Sequence, residues 1–211
     1  MNLKELEKEI KKCTKCSEIF SKYWIEAKPI FEWKSNFEIM LVWQAPWISE
    51  YKFWKPFVWD TGKSIKKLFL DCWVEKFNEK VYQTSIIKCF PWRKDWVSTD
   101  RKPSKIEINN CLGFLVKQIE ILKPKIIVCL WMVSWKVLIE LIEKEKSWFI
   151  LKKFNKKILE LKVPDIIWKS FKYKDSLIIP MIHPSGAANW VRSKNKSLHL
   201  QSIEILKNSL K

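Results

Sequence analysis

Glu38-Ile39-Met40-Leu41-Val42 runs without a break into the turn Trp43-Gln44-Ala45-Pro46-Trp47. A half-exposed strand would alternate apolar and polar side chains. A short unbroken apolar run reads instead as a strand covered on both faces. Three further β-branched-rich runs have the same character, at 81–88, 125–130 and 176–182. Helical patterns lie between them. After Thr61, which suits an N-cap, Ile65, Leu68, Phe69 and Cys72 fall on one helical face. Ser104 and Glu107 have capping-box spacing, and Ile108, Cys111, Leu112, Leu115, Ile119 and Leu122 continue as one stripe. Residues 133–145 and 197–210 read as two more helices. Strands alternating with helices predict an α/β fold: three α/β/α layers around a central four-stranded parallel sheet. Ligands of such sheets bind at the carboxyl ends of the strands.

The 211 residues read as one domain, with a possible inserted hairpin or loop at 146–175 and a polar loop at 90–103. A chain this long buries a core without a disulfide framework. No run approaches a membrane span, and the N-terminus is charged and amphipathic rather than a signal peptide, so a cytoplasmic monomer is expected. The formal net charge is +17, and apart from Arg93, Arg101 and Arg192 every basic residue is lysine. That excess suits a polyanionic partner such as nucleic acid, and equally a set of solvated lysine faces.

Glycine is nearly missing. The chain has 3 glycines and 14 tryptophans, where an average composition of about 7% glycine would give roughly 15 glycines. The tryptophans also stand where glycine belongs. Trp43 and Trp47 bracket a turn, Trp54 and Trp59 bracket Lys55-Pro56-Phe57-Val58, and Trp92 follows Pro91. In some bacteria UGA encodes glycine, and a translation reading it as tryptophan would leave this pattern. Positions 43, 47, 54, 59, 92 and 131 are the candidates, while Trp190 has the context of a true tryptophan.

Six cysteines in a cytoplasmic protein point to metal rather than disulfides. Cys72 and Cys129 fall at core positions. Cys13-Thr14-Lys15-Cys16 has the gap that lets two thiolates grip one centre, Cys89 closes the second strand run, and Cys111 sits early in the long helix. Four such thiolates suit zinc or an iron–sulfur cluster, although Cys111 also fits a core role. Of the two histidines, His199 reads as packing or surface, and His183 follows a strand's carboxyl end. A phosphate-loop reading of 57–64 fails, because the pattern needs glycine where Phe57 stands.

Together these segments resemble the uracil-DNA glycosylase superfamily, closest to its iron–sulfur, family 4-like branch. With glycine restored, Val42 to Glu50 looks like the superfamily's first motif, V-G-[EQ]-x-P-G-x-x-E, and Trp54 to Trp59 is similar to G-x-P-F-x-G. His183-Pro184-Ser185 resembles the second catalytic motif. The resemblance covers roughly residues 10 to 206. It implies a [4Fe-4S] cluster on Cys13, Cys16, Cys89 and Cys111, and uracil-containing DNA as partner. The chain departs from the pattern in carrying Gln44 where many iron–sulfur members have Glu, Ser85 where Asn is frequent, and a longer gap between Cys89 and Cys111.

The resemblance implies base-excision repair by hydrolysis of the N-glycosidic bond of uracil. Phe57 would stack on the flipped base, Ser85 would read its edge, and His183 would donate to O2 of the leaving anion. The backbone at Gln44 and Ala45 would add donors, and Gln44 or Glu50 would position water. Ser185 and Asn189, with Ala187 and Ala188, would lie in the loop that enters the duplex, and the lysines and three arginines would hold phosphates. The alternative reading is an iron–sulfur DNA-binding protein of the same fold without excision activity. A redox protein has only the cysteines in its favour.

Overall fold

The structure, a computed structural model, describes residues 1–31, 38–93, 100–144, 160–184 and 186–211. Along the chain run α1 (Leu3–Lys11), α2 (Ser17–Ser21), β1 (Ile39–Trp43), α3 (Ile48–Phe53), α4 (Trp59–Asp71), α5 (Phe77–Lys80) and β2 (Val81–Ser85). There follow α6 (Lys105–Leu122), β3 (Ile126–Leu130), α7 (Trp131–Lys144) and α8 (Val163–Ile166). β4 (Phe171–Tyr173), β5 (Ser176–Met181), a 3₁₀ turn (Gly186–Ala188), α9 (Asn189–Lys194) and α10 (Lys196–Ser209) complete the order.

The sheet order is β2-β1-β3-β5-β4. The four expected strands are all parallel, Ile39 pairing with Val81 and Ile126, and Ile126 with Leu177. The fifth strand corrects the four-strand expectation. β4 forms an antiparallel hairpin with β5, Tyr173 opposite Ser176. It lies in the stretch read as a hairpin or loop; 146–159 of that stretch lies outside the described residues.

Unbroken apolar strands follow from burial on two sides. Met40, Val42, Ile127 and Cys129 point into one core with α1, α6 and α7. Ile39, Leu41, Val128 and Ile179 point into the other, against α4 and Leu206 of α10. The expected three layers are therefore present. α6 begins at the expected Ser104 cap, whose hydroxyl accepts from Glu107 N–H while the Glu107 carboxylate accepts from Ser104 N–H. α4 begins two residues before Thr61, with Val58 as N-cap. β2 ends at Ser85, not at 88, because 86–88 bend away. Cys89 then bridges to Pro29, and Ile30 N–H donates to Lys88 O, drawing the N-terminal segment over the strand end.

Candidate active site

β1, β3 and β5 point their carboxyl ends at one rim. His183 leaves β5 there, wholly buried, and shares a cavity of about 240 Å³ with Gln44, Trp131, Ile182 and Val191. Its ring is stacked on Trp131 at 5.0 Å between centroids and lies 4.9 Å from that of Trp47. Burial first, and then the Arg192 charge, hold its pKa down at about 3, so the imidazole is neutral at physiological pH. Arg192 donates to the His183 carbonyl at 2.6 Å and, in a short contact, to Asn189 Oδ1. Asn189 is thereby tied to the start of α9. Ser185 lies outside the described residues.

Phe57 belongs to the turn before α4 and lines a second cavity of about 240 Å³ with Pro56, Lys66, Asn78 and Gln83. Its ring sits 4.2 Å from that of Trp43, at the end of β1. The backbone is held in an unusual state, with φ +49. Two contacts fix it. Phe57 N–H donates to Glu50 Oε1 at 2.5 Å, and a Cβ at Gly62 would meet Phe57 O at 1.8 Å, so that approach admits only glycine. A left-handed backbone on a bulky residue, held from both sides, is the kind of strain found at binding sites.

Glu50 is buried, and its other oxygen accepts from Trp47 N–H at 2.9 Å. Burial raises its pKa to about 7, against the two backbone donors that favour the charged form. Both carboxylate oxygens thus hold backbone. Ala45 is buried within the core. Ser85 is buried too, and its hydroxyl donates to Ile87 O at 2.7 Å. Gln83, on the same face of β2, reaches the Phe57 cavity instead. The period-2 alternation from Ser85 was the signal for it.

All three arginines have partners within the chain. Arg101 makes a two-pronged ion pair with buried Glu107 at 2.7 and 2.8 Å, Arg93 pairs with Asp100, and Arg192 is spent as above. Lys102 borders the His183 cavity, and Lys55 and Lys66 the Phe57 cavity.

Away from this rim, Cys13, Cys16, Cys89 and Cys111 line one small cavity, all as free thiols. Cys72 and Cys129 lie in the cores, as expected. Asn110 Nδ2 donates to Cys16 Sγ at 3.4 Å, and Lys88 N–H to Cys111 Sγ at 3.3 Å. The Lys88 ammonium is buried and bonded only to neutral oxygens, Thr84 Oγ1 at 2.8 Å and Ser85 O at 2.5 Å. Among the described residues no carboxylate pairs with it; burial lowers its pKa to about 8, and Cys111 and Cys89 are the ionisable groups that act against that shift. A buried cation without a counter-charge fits a neighbouring anionic, thiolate-held group. Among the described residues no three His, Cys, Asp or Glu side chains are grouped for a metal ion.

The fold and its two sites define a three-layer α/β protein with a histidine cleft at the sheet's carboxyl rim and a separate four-thiol cavity. The chain belongs to the uracil DNA glycosylase superfamily, whose family model matches residues 32–207. It is 34% identical over 141 residues to a type-4 uracil-DNA glycosylase of Pyrobaculum aerophilum, covering 67% of this chain and 66% of that protein. Proteins of the same name from Sulfurisphaera tokodaii and Saccharolobus solfataricus are 29% and 30% identical, each over 88% of this chain and 76% and 77% of their own lengths. Among the described residues no helix is long and apolar enough to cross a membrane.

Proposed function

We propose that this chain is a DNA glycosylase that hydrolyses the N-glycosidic bond of uracil in DNA, as one globular unit spanning 1–211. The observation that carries the reading is a buried His183 sharing one cavity with Gln44 at the carboxyl rim, beside a strand end against which Phe57 packs. The names of the relatives support it.

An enzyme acting on a base in DNA must take it out of the stack. Phe57 supplies the stacking face. Lys55, Lys66 and Lys102 border the two cavities and are the candidates to hold the flanking phosphates, which makes affinity salt-dependent. When the bond from C1′ to the base nitrogen breaks, its electron pair goes to the uracil ring. A neutral imidazole donates to the developing oxyanion at O2 without carrying a charge of its own into the cleft. Water then adds to C1′, and the proton it gives up ends on the departing uracil anion, so that neutral uracil and a sugar hydroxyl are the products. Gln44 orients that water. Glu50 acts at one remove, as a positioning residue that fixes the Trp47 and Phe57 amides. Gln83, which reaches the Phe57 cavity, takes the place of buried Ser85 as candidate reader of the base edge.

The four thiols hold a [4Fe-4S] cluster in this reading, and Lys88 supplies its buried counter-charge. Cys13, Cys16, Cys89 and Cys111 line one cavity and would hold the cluster between the N-terminal segment, the loop after β2 and α6, where it would supply a structural cross-link.

A second reading is a DNA-binding protein of this fold without excision. One observation favours it: in the chain as written, indoles pack on His183 and Phe57. Incubation with a uracil-containing oligonucleotide separates the two. Abasic sites support excision, and binding without abasic sites selects the second reading.

A further inference from the structure

Left-handed backbone is where glycine is favoured and a bulky side chain is strained. Among the described residues eight non-glycine residues have positive φ, and five are tryptophans: Trp24, Trp54, Trp73, Trp92 and Trp131, with φ of 54, 51, 66, 74 and 72. Tryptophan is only 14 of 211 residues. None of the three encoded glycines has positive φ. The residue that favours this conformation is absent from it, and the residue with the largest side chain takes its place.

Two of the five close hydrogen-bonded helix ends of a type that ordinarily uses glycine. After α4, Trp73 N–H donates to Leu70 O at 2.8 Å and Val74 N–H to Phe69 O at 2.9 Å. After α2, Trp24 N–H donates to Ser21 O at 3.1 Å and Ile25 N–H to Phe20 O at 3.3 Å. Both are the paired bonds of a Schellman cap, and in both the tryptophan occupies the left-handed position where glycine is enriched. Their side chains are exposed, Trp24 almost completely, so packing does not explain them. Trp54 is the left-handed residue that ends α3. Trp131 joins β3 to α7 with no intervening residue.

Backbone does not single out Trp43 and Trp47. Trp43 is in a strand, and Trp47 has φ −101. Their surroundings do. Trp43 packs on Phe57, while Trp47 and Trp131 both pack on His183. The indole N–H of Trp131 is buried with no acceptor among the described residues, although a buried indole normally finds one. Trp135 is the contrast. It is buried in the interior of α7, and its indole N–H donates to Cys129 O at 2.6 Å.

We propose that positions 24, 54, 73, 92 and 131, together with 43 and 47, are glycine in the protein its own cell makes, through UGA read as glycine. Glycine at 43, 47 and 131 takes away the indoles packed on Phe57 and on His183 and opens the space beside each ring. Trp135 stays tryptophan. The use of the opened space rests on the excision reading; the identity of the residues does not.

The gene's codons and the peptide masses of the protein from its native cell test the identities. UGA codons at the seven positions, UGG at 135, and peptides lighter by the tryptophan-to-glycine difference are expected. UGG codons with tryptophan masses at 24 and 73 would overturn the assignment. The pocket is tested by binding of a uracil oligonucleotide to the chain as written and to its Trp43→Gly/Trp47→Gly/Trp131→Gly variant. At least ten-fold tighter binding by the variant is expected, and equal binding by two folded proteins would overturn the opened binding space. Glycine masses and tight binding without abasic sites would leave the assignment standing and defeat the excision reading alone.

Discussion

The cysteine cavity and the histidine cleft are each assembled from segments far apart in sequence, and they differ in what the written residues do there. In the cysteine cavity, Cys13, Cys16, Cys89 and Cys111 meet as free thiols, with Lys88 and Asn110 donating to sulfur. That site needs side chains, and the side chains are present. In the cleft, His183, Gln44 and Phe57 reach the rim, but indoles occupy the space against them. That site needs a missing Cβ at several turns. A cavity defined by what projects into it survives a misread glycine; a cavity defined by what is left out does not.

The comparison breaks most visibly at the support of the cysteine side. Arg101→Ala leaves the fully buried Glu107 carboxylate without its two-pronged partner at the start of the helix that carries Cys111. Loss of about 3–5 kcal/mol is expected from urea unfolding, with fewer than four thiols remaining protected from alkylation. On the cleft side, His183→Ala in the glycine-restored protein should remove about 2.7–4 kcal/mol of transition-state stabilisation, read as single-turnover excision, with folding intact. An unchanged rate would take His183 out of the chemistry.

Acid sharpens the contrast next. Unfolded, the His183 imidazole protonates near 6.5; folded in the chain as written, it is held at about 3 by burial and then by Arg192. The unfolded state therefore binds the additional proton between those limits, and this contribution to stability is lost as pH falls from 6.5 towards 3. Glycine at 47 and 131 uncovers the ring, so its titration followed by NMR should move back towards 6.5 and the acid-sensitive window should narrow. The smallest effect belongs to neither cavity. Trp73→Gly releases a left-handed tryptophan at a helix end and should stabilise by about 1 kcal/mol in urea unfolding.

The layers were legible because strands buried on both faces carry unbroken apolar runs, as Ile39 to Val42 and Ile126 to Leu130 do. β4 was not, since Phe171-Lys172-Tyr173 is too short to give a pattern and pairs only through its hairpin with β5. Spacing and type paired Cys13 with Cys16 but left Cys111 open to a core role; the family resemblance brought the four cysteines together. The engagement of the arginines could not: Arg101 and Glu107 are six residues apart, and nothing local says that the pair is buried. Glu50 was visible as part of a motif, but its two backbone partners emerge only once α3 and the Phe57 turn are folded together. Trp24 and Trp73 escaped notice because they follow helices whose ends are set by hydrogen bonds, not by turn-forming neighbours.

The most direct test of the account is uracil excision measured side by side for the chain as written and for the same chain with Trp43→Gly, Trp47→Gly and Trp131→Gly, on one uracil-containing oligonucleotide. Abasic sites formed at least about a hundred-fold faster by the glycine-restored protein are expected, the scale on which misplaced reacting groups lose rate. A glycine-restored protein that folds and binds the oligonucleotide yet leaves every uracil in place would contradict it.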